Sequence, residues 1–218
     1  MTEIVAQGNR RGAQQRSRAS GEPNAASLAR LTEEISACRL CAGSFEHSPR
    51  PLFQIAEGAA IAIFSQAPGN RAHQLGRTFL DPSGVRLRDW LGVDEATFYD
   101  PRNFIIAPMA FCFPGYDKNG GDKPPPNICA ETWRPRLEAA IAPPALTLLV
   151  GRYAQVWALG PDARKTLTDT VAAWRSYGPA VLPLPHPSWR NNGWIKKNPW
   201  FEEALLPHLK ARVKSLLG

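Results

Sequence analysis

The sequence predicts an α/β domain of three layers, α/β/α, with helices on both faces of a central four-stranded, mainly parallel sheet. Three observations predict it. Four short apolar runs, at residues 59–65, 103–107, 145–151 and 180–184, lack polar alternation, and such runs suit a parallel sheet covered on both faces. Stretches with apolar residues at helical spacing separate them, which is the alternation of a doubly wound fold. Polar, Gly- and Pro-bearing segments follow the first and last runs, and ligands in open α/β sheets bind beyond the carboxyl ends of the strands.

Along the chain, residues 1–25 are rich in Arg, Gln, Ser, Gly and Asn with almost no apolar spacing. Such a composition cannot offset the entropy of ordering, so a disordered basic tail is expected ahead of one domain at 26–218. Leu28, Leu31 and Ile35 then fall at helical spacing with Ser27 as a cap, predicting a helix that leads into Cys38-Arg39-Leu40-Cys41. After the first run, Asp81 stands in a cap position before Pro82, and a helix over 82–91 follows. Helices over 128–141 and 152–159 follow the second and third runs. A last helix opens at Asn198-Pro199 and carries Trp200, Phe201, Leu205, Leu206, Leu209, Val213 and Leu216 on its apolar side.

Composition narrows the function. At 218 residues the chain fits one domain with a flexible end. No apolar run approaches the roughly 18 residues of a membrane span, and the N-terminus has no apolar core of a signal peptide, so a cytoplasmic protein with no membrane partner is expected. Lys and Arg number 26 against 19 Asp and Glu, for a net charge of +7. Such an excess favours a polyanionic partner, nucleic acid first. Neither GxxxxGK[ST] nor GxGxxG follows a strand, which argues against nucleoside triphosphate and dinucleotide cofactors.

Two loops carry the chemistry. Residues 65–84, SQAPGNRAHQLGRTFLDPSG, combine small rigid residues with His73, Arg77 and Asp81, as close backbone approach to a ligand requires. Residues 186–199, HPSWRNNGWIKKNP, place His186 at a strand end, followed by aromatic and basic side chains suited to phosphates and to a gap in a base stack. Cys38, Cys41, Cys112 and Cys129 supply four thiolates, enough for zinc or an iron–sulfur cluster, the wide later spacing favouring a cluster.

Together these residues resemble the uracil-DNA glycosylase superfamily over 27–217, most closely its iron–sulfur branch, family four. SQAPG (65–69) and GRTF (76–79) stand where that family has its first motif, HPSWRNN (186–192) where it has its second, and the four cysteines where it binds a [4Fe–4S] cluster. The resemblance implies a DNA repair enzyme that flips uracil, or another deaminated base, out of DNA and hydrolyses its N-glycosidic bond, leaving an abasic site. It implies that Phe79 stacks on the extruded base, that Gln66, Ala67 and Gly69 line the pocket, and that His186 donates to the base carbonyl. Trp189 and Arg190 would fill the vacated position, with Ser188 and Asn191 beside them. Two residues depart from the pattern: Gln66 replaces a Glu, and Pro108 replaces an Asn that reads the uracil edge. Recognition would then rest on the backbone of Pro108, Met109 and Ala110.

Hydrolysis needs a group to stabilise the uracil anion and another to place water at the sugar. His186 is the candidate for the first. Asp81 is the candidate for the second, its alternative being a helix cap, and His73 stands behind it. Arg77, Arg190, Lys196 and Lys197 are the candidate phosphate contacts, and the protein is expected to act as a monomer. A rival reading is a non-excising or covalently trapping uracil-DNA binder. One branch of the superfamily traps through a histidine after the third cysteine, but residues 113–126 here hold no His, which favours turnover. A redox iron–sulfur protein unrelated to DNA is a second rival.

Overall fold

A computed structural model describes residues 25–218. Four strands, β1 (Ile61–Phe64), β2 (Phe104–Ile106), β3 (Leu146–Val150) and β4 (Val181–Leu184), form one sheet in the order β2-β1-β3-β4. Every neighbouring pair is parallel. Each strand lies inside one of the four apolar runs. The antiparallel element at the edge is a single bridge from Gln54 to Ile106 of β2.

The absence of alternation in those runs has a direct structural cause. Successive side chains of a strand point to opposite faces, and both faces here are covered. Ile61, Ile63, Leu146, Leu148 and Leu182 point into one core, shared with α3 (Pro82–Leu91), α8 (Asn192–Lys197) and α9 (Leu206–Leu217). Ala62, Phe64, Ile105 and Leu149 point into the other, shared with α1 (Ala25–Ser36), α5 (Asn127–Ala140) and α6 (Arg152–Leu159). The result is the three-layer α/β/α arrangement.

The helix ends follow local chemistry. Asp81 accepts the Gly84 N–H at 2.9 Å and Pro82 occupies the first turn, so α3 begins where Asp-Pro predicts. α1 starts at Ala25, two residues before Ser27, which therefore lies inside the helix rather than at its cap; the helix ends at Ser36, and the Cys38–Cys41 segment is a turn. The last helix opens as a π-helical turn, Phe201–Leu205, before α9. Pro207 there lacks the N–H of a regular turn, and the wider turn keeps Phe201, Leu205 and Leu209 in one core. Short helices α2 (Asn70–Leu75), α4 (Glu95–Phe98) and α7 (Leu167–Ala172), and α8 within the expected 186–199 loop, fill stretches where the spacing predicts none. The expected tail lies outside the described residues, except that Ala25 is already helical. Among the described residues, no helix is long and apolar enough to cross a membrane.

The strand order sets the site. From β1 the chain moves to β2 on one side, then returns to β3 on the other, so connections diverge from the end of β1. Such a switch point opens a crevice at the carboxyl ends of the strands.

Candidate active site

At that crevice lies a cavity of about 520 Å³. Its walls come from segments far apart in sequence: residues 65–72 after β1, 78–86 leading into α3, Pro108 after β2, Asp122, and 186–191 after β4. The two loops singled out by composition therefore face one space.

The first loop turns sharply because Pro68 and Gly69 end the strand extension, and α2 then starts at Asn70. Gln66 anchors it to the neighbouring connection: its carbonyl accepts the Ala110 N–H at 3.1 Å, as Ser65 accepts that of Met109 at 2.8 Å. Gln66, Ala67, Gly69 and Pro108 line the cavity. Met109 and Ala110 are buried behind it, and Met109 faces a separate apolar groove.

Phe79 is 8% exposed and closes one wall, its ring edge-on to Phe98 at 6.2 Å. Its φ of 55° puts a bulky residue in the left-handed region, a conformation that persists where surrounding structure enforces it. Tyr99 helps, its hydroxyl donating to the Thr78 carbonyl at 2.8 Å.

His186 leaves β4 through Pro185. Its carbonyl accepts the Asn191 amide at 2.6 Å, which pins the loop back on its own start. Gly151 packs beside His186 after β3; a Cβ there would make an ordinary contact, 3.7 Å from His186 Cβ, so it is the φ of 89° that calls for glycine. Much of the residue is enclosed, yet part of it opens to the cavity. Burial pushes its pKa below the ordinary imidazole value, and the negative charge of Asp81 opposes that shift. The ring is thus neutral at neutral pH. Among the described residues, neither ring nitrogen takes a hydrogen bond.

Asp81 faces the same cavity but one of its oxygens is committed to the α3 cap. The expected cap is there, and so is the cavity position. His73 is not on the cavity wall; its ring packs on His47 at 4.4 Å and near Phe113 at 6.0 Å. Burial, then the nearby His47 and Arg50 charges, lower its pKa.

On the rim, Trp189 is 70% exposed, with the Arg190 guanidinium near its ring at 5.9 Å. Ser188 accepts the Arg190 N–H through its hydroxyl at 3.3 Å, and Arg86 of α3 donates to the Ser188 carbonyl at 3.1 Å. Arg77 lies elsewhere, stacked on Tyr99 at 3.5 Å beside a different groove. Lys196 and Lys197 are exposed at the end of α8 and do not line the cavity. Sequence reasoning missed Arg71, Arg86 and Asp122. Arg71 was legible as a basic residue beside the SQAPG turn; Asp122 had no local signal beyond the Gly-Gly that precedes it.

The four cysteines gather at the N-terminal end of α5, whose first turn contains Cys129. Cys38, Cys41, Cys112 and Cys129 line one small apolar pocket with Phe45, Phe111 and Trp133. The Phe111 N–H donates to Cys129 Sγ at 3.4 Å. Burial pushes the Cys112 thiol up to about 12 and the Cys129 thiol up to about 11, each also feeling Cys38 and Cys41. Among the described residues, no group of three or more His, Cys, Asp or Glu side chains is placed to hold a metal ion.

A family model described as the uracil DNA glycosylase superfamily matches residues 53–210. The match spans the sheet and every segment of the cavity wall, and it begins after Cys38 and Cys41.

Proposed function

The chain belongs to the uracil DNA glycosylase superfamily, and from that premise we propose that it excises uracil from DNA, leaving an abasic site. The observation that carries this reading is the meeting of His186 with the SQAPG turn and Phe79 around one cavity. A base inside a duplex cannot reach such a space, so the nucleotide must swing out, at a cost of a few kcal/mol. Phe79 offers a face for the base, and the backbone around Gln66 and Pro108 offers polar groups for its edge. Trp189, exposed on the rim, is placed to enter the gap left behind.

Cleavage leaves negative charge on uracil and positive charge on the sugar. A neutral His186 donates an N–H to the base oxygen without competing for a proton, and its withdrawal from water strengthens that bond. Preorganised donors of this kind contribute roughly 3 to 4 kcal/mol. Asp81, held by the α3 N-terminus, supplies fixed negative charge near the reacting centre. The test is incubation with a uracil-containing oligonucleotide, followed by alkali. Strand breaks at the uracil position are expected; intact strands with a denaturation-resistant adduct would instead point to covalent trapping.

We further propose the iron–sulfur, family four-like branch, with a [4Fe–4S] cluster held by Cys38, Cys41, Cys112 and Cys129. The donor chemistry supports such a group: four thiols line one apolar space, and the Phe111 N–H donates to one sulfur, a bond of the kind that tunes cluster thiolates. When bound, the cluster would tie the CxxC turn and the start of α5 to the sheet. Purified protein should be brown, and Cys38→Ser should lose the colour. A colourless protein with stoichiometric zinc would overturn this assignment.

A further inference from the structure

Asp122 plays no part in the reading above, yet it lines the cavity. A small hairpin brings it there. Tyr116 and Asp122 pair antiparallel, and the Asp117 carboxylate accepts the N–H groups of Asn119 at 2.7 Å and Gly121 at 2.9 Å, closing the turn. The hairpin reaches both motif loops. A Cβ on Gly69 would stand 3.5 Å from Asp122 Oδ2, and one on Gly121 would stand 3.5 Å from Arg190 Nη1.

The two cavity carboxylates differ in what they are free to do. Asp81 Oδ1 holds the Gly84 N–H at the first turn of α3 and is committed to that cap. Among the described residues, the Asp122 carboxylate takes no hydrogen bond, although Arg190 lies within electrostatic reach. An unpaired negative charge facing a bound polyanion weakens binding. It is useful at such a place where positive charge develops during the reaction.

We propose that Asp122 holds and deprotonates the water that attacks the sugar, leaving Asp81 as a fixed charge. The assignment rests on the glycosylase reading. In the step, the bond from C1′ to N1 breaks and its electron pair stays on the uracil. The water oxygen bonds to C1′, and its proton passes to the Asp122 carboxylate. That proton then neutralises the departing uracil anion, so the enzyme is restored.

The charged groups facing Asp122 are Arg190 from the loop after β4, Asp81 at the start of α3, Asp117 on its own hairpin, and Arg71 of α2 on the same wall. Partial burial raises its pKa, Arg190 opposes the rise, and Asp81 and Asp117 add to it. The residue is exposed in the free protein, and DNA laid over the cavity mouth would cover it further.

Asp122→Asn keeps the shape and removes the charge. Single-turnover uracil release should fall at least about 100-fold, while affinity for the same oligonucleotide stays equal or rises and the thermal midpoint is unchanged. The acid limb of the pH–rate profile should disappear with it. Asp81→Asn keeps the cap, since Asn caps as well as Asp, and should cost less. In Asp122→Ala, added formate should restore part of the rate. Release by Asp122→Asn within about threefold of wild type, or a loss that tracks lost binding and that formate does not restore, would overturn the role of Asp122 alone. No release by the wild-type protein would overturn the glycosylase reading, and this assignment with it.

Discussion

The backbone oxygen of Phe79 lies 1.7 Å from where a Cβ on Gly84 would stand. The turn that presents the aromatic ring and the first turn of α3 thus close on each other with no space for a side chain. Neither partner can yield by rotating, because both are backbone. Gly84→Ala should destabilise the fold by more than about 2 kcal/mol, the range of severe backbone and overpacking changes, read from the urea midpoint. Because α3 holds Leu87, Trp90 and Leu91 in the core, the strain cannot be confined to the loop.

The ring environment of His186 makes a pH prediction with a definite sign. Its pKa is lowered in the folded protein, chiefly by burial. The unfolded chain therefore binds a proton that the native state refuses. Its contribution to stability is full above the ordinary value near 6.5 and is lost as pH falls toward the lowered folded value. Urea unfolding at a series of pH values should show wild type losing stability over that window, and His186→Gln losing less. The same variant should release uracil at least about tenfold more slowly in single turnover; equal rates would remove His186 from the reaction.

Trp189 contributes almost nothing to the fold, being 70% exposed. Trp189→Ala should leave stability within about 0.5 kcal/mol. On duplex DNA, where a vacated stack needs filling, uracil release should slow; on single strands, where it does not, the rate should hardly change. The ratio of the two rates measures the wedge.

How much of this was readable in the sequence depends on how local the determinants are. The four strands were legible because burial on both faces leaves an uninterrupted apolar run, and the α3 start because Asp81-Pro82 encodes it directly. The helices α2, α4, α7 and α8 were not. They have at most six residues, too few to show a period, and tertiary contacts hold them. The meeting of the SQAPG and HPSWRNN loops was legible from strand-end logic. Asp122 was not, because its position depends on a hairpin folding across from the segment between two cysteines. His73 illustrates the reverse: it belongs to the right loop, but α2 turns it away toward His47, and no spacing rule marks that turn. Arg77 likewise leaves the cavity by stacking on Tyr99.

The basic side chains now divide into those that frame the cavity and those that do not, and DNA binding should tell them apart. Each phosphate neutralised by a cation adds about one to the slope of log affinity against log salt. Arg71 is exposed on the cavity wall beside the SQAPG turn, where the backbone of an extruded nucleotide must pass. Arg77 is engaged with Tyr99 beside another groove. Arg71→Ala should therefore lower affinity for a uracil-containing oligonucleotide and reduce the salt slope by about 1. Arg77→Ala should leave the slope nearly unchanged and instead lose packing against Tyr99. Titration of both variants at several salt concentrations separates the two. Equal slopes for wild type and Arg71→Ala would mean that the strand crosses the rim elsewhere, on the side of Arg190 and α8.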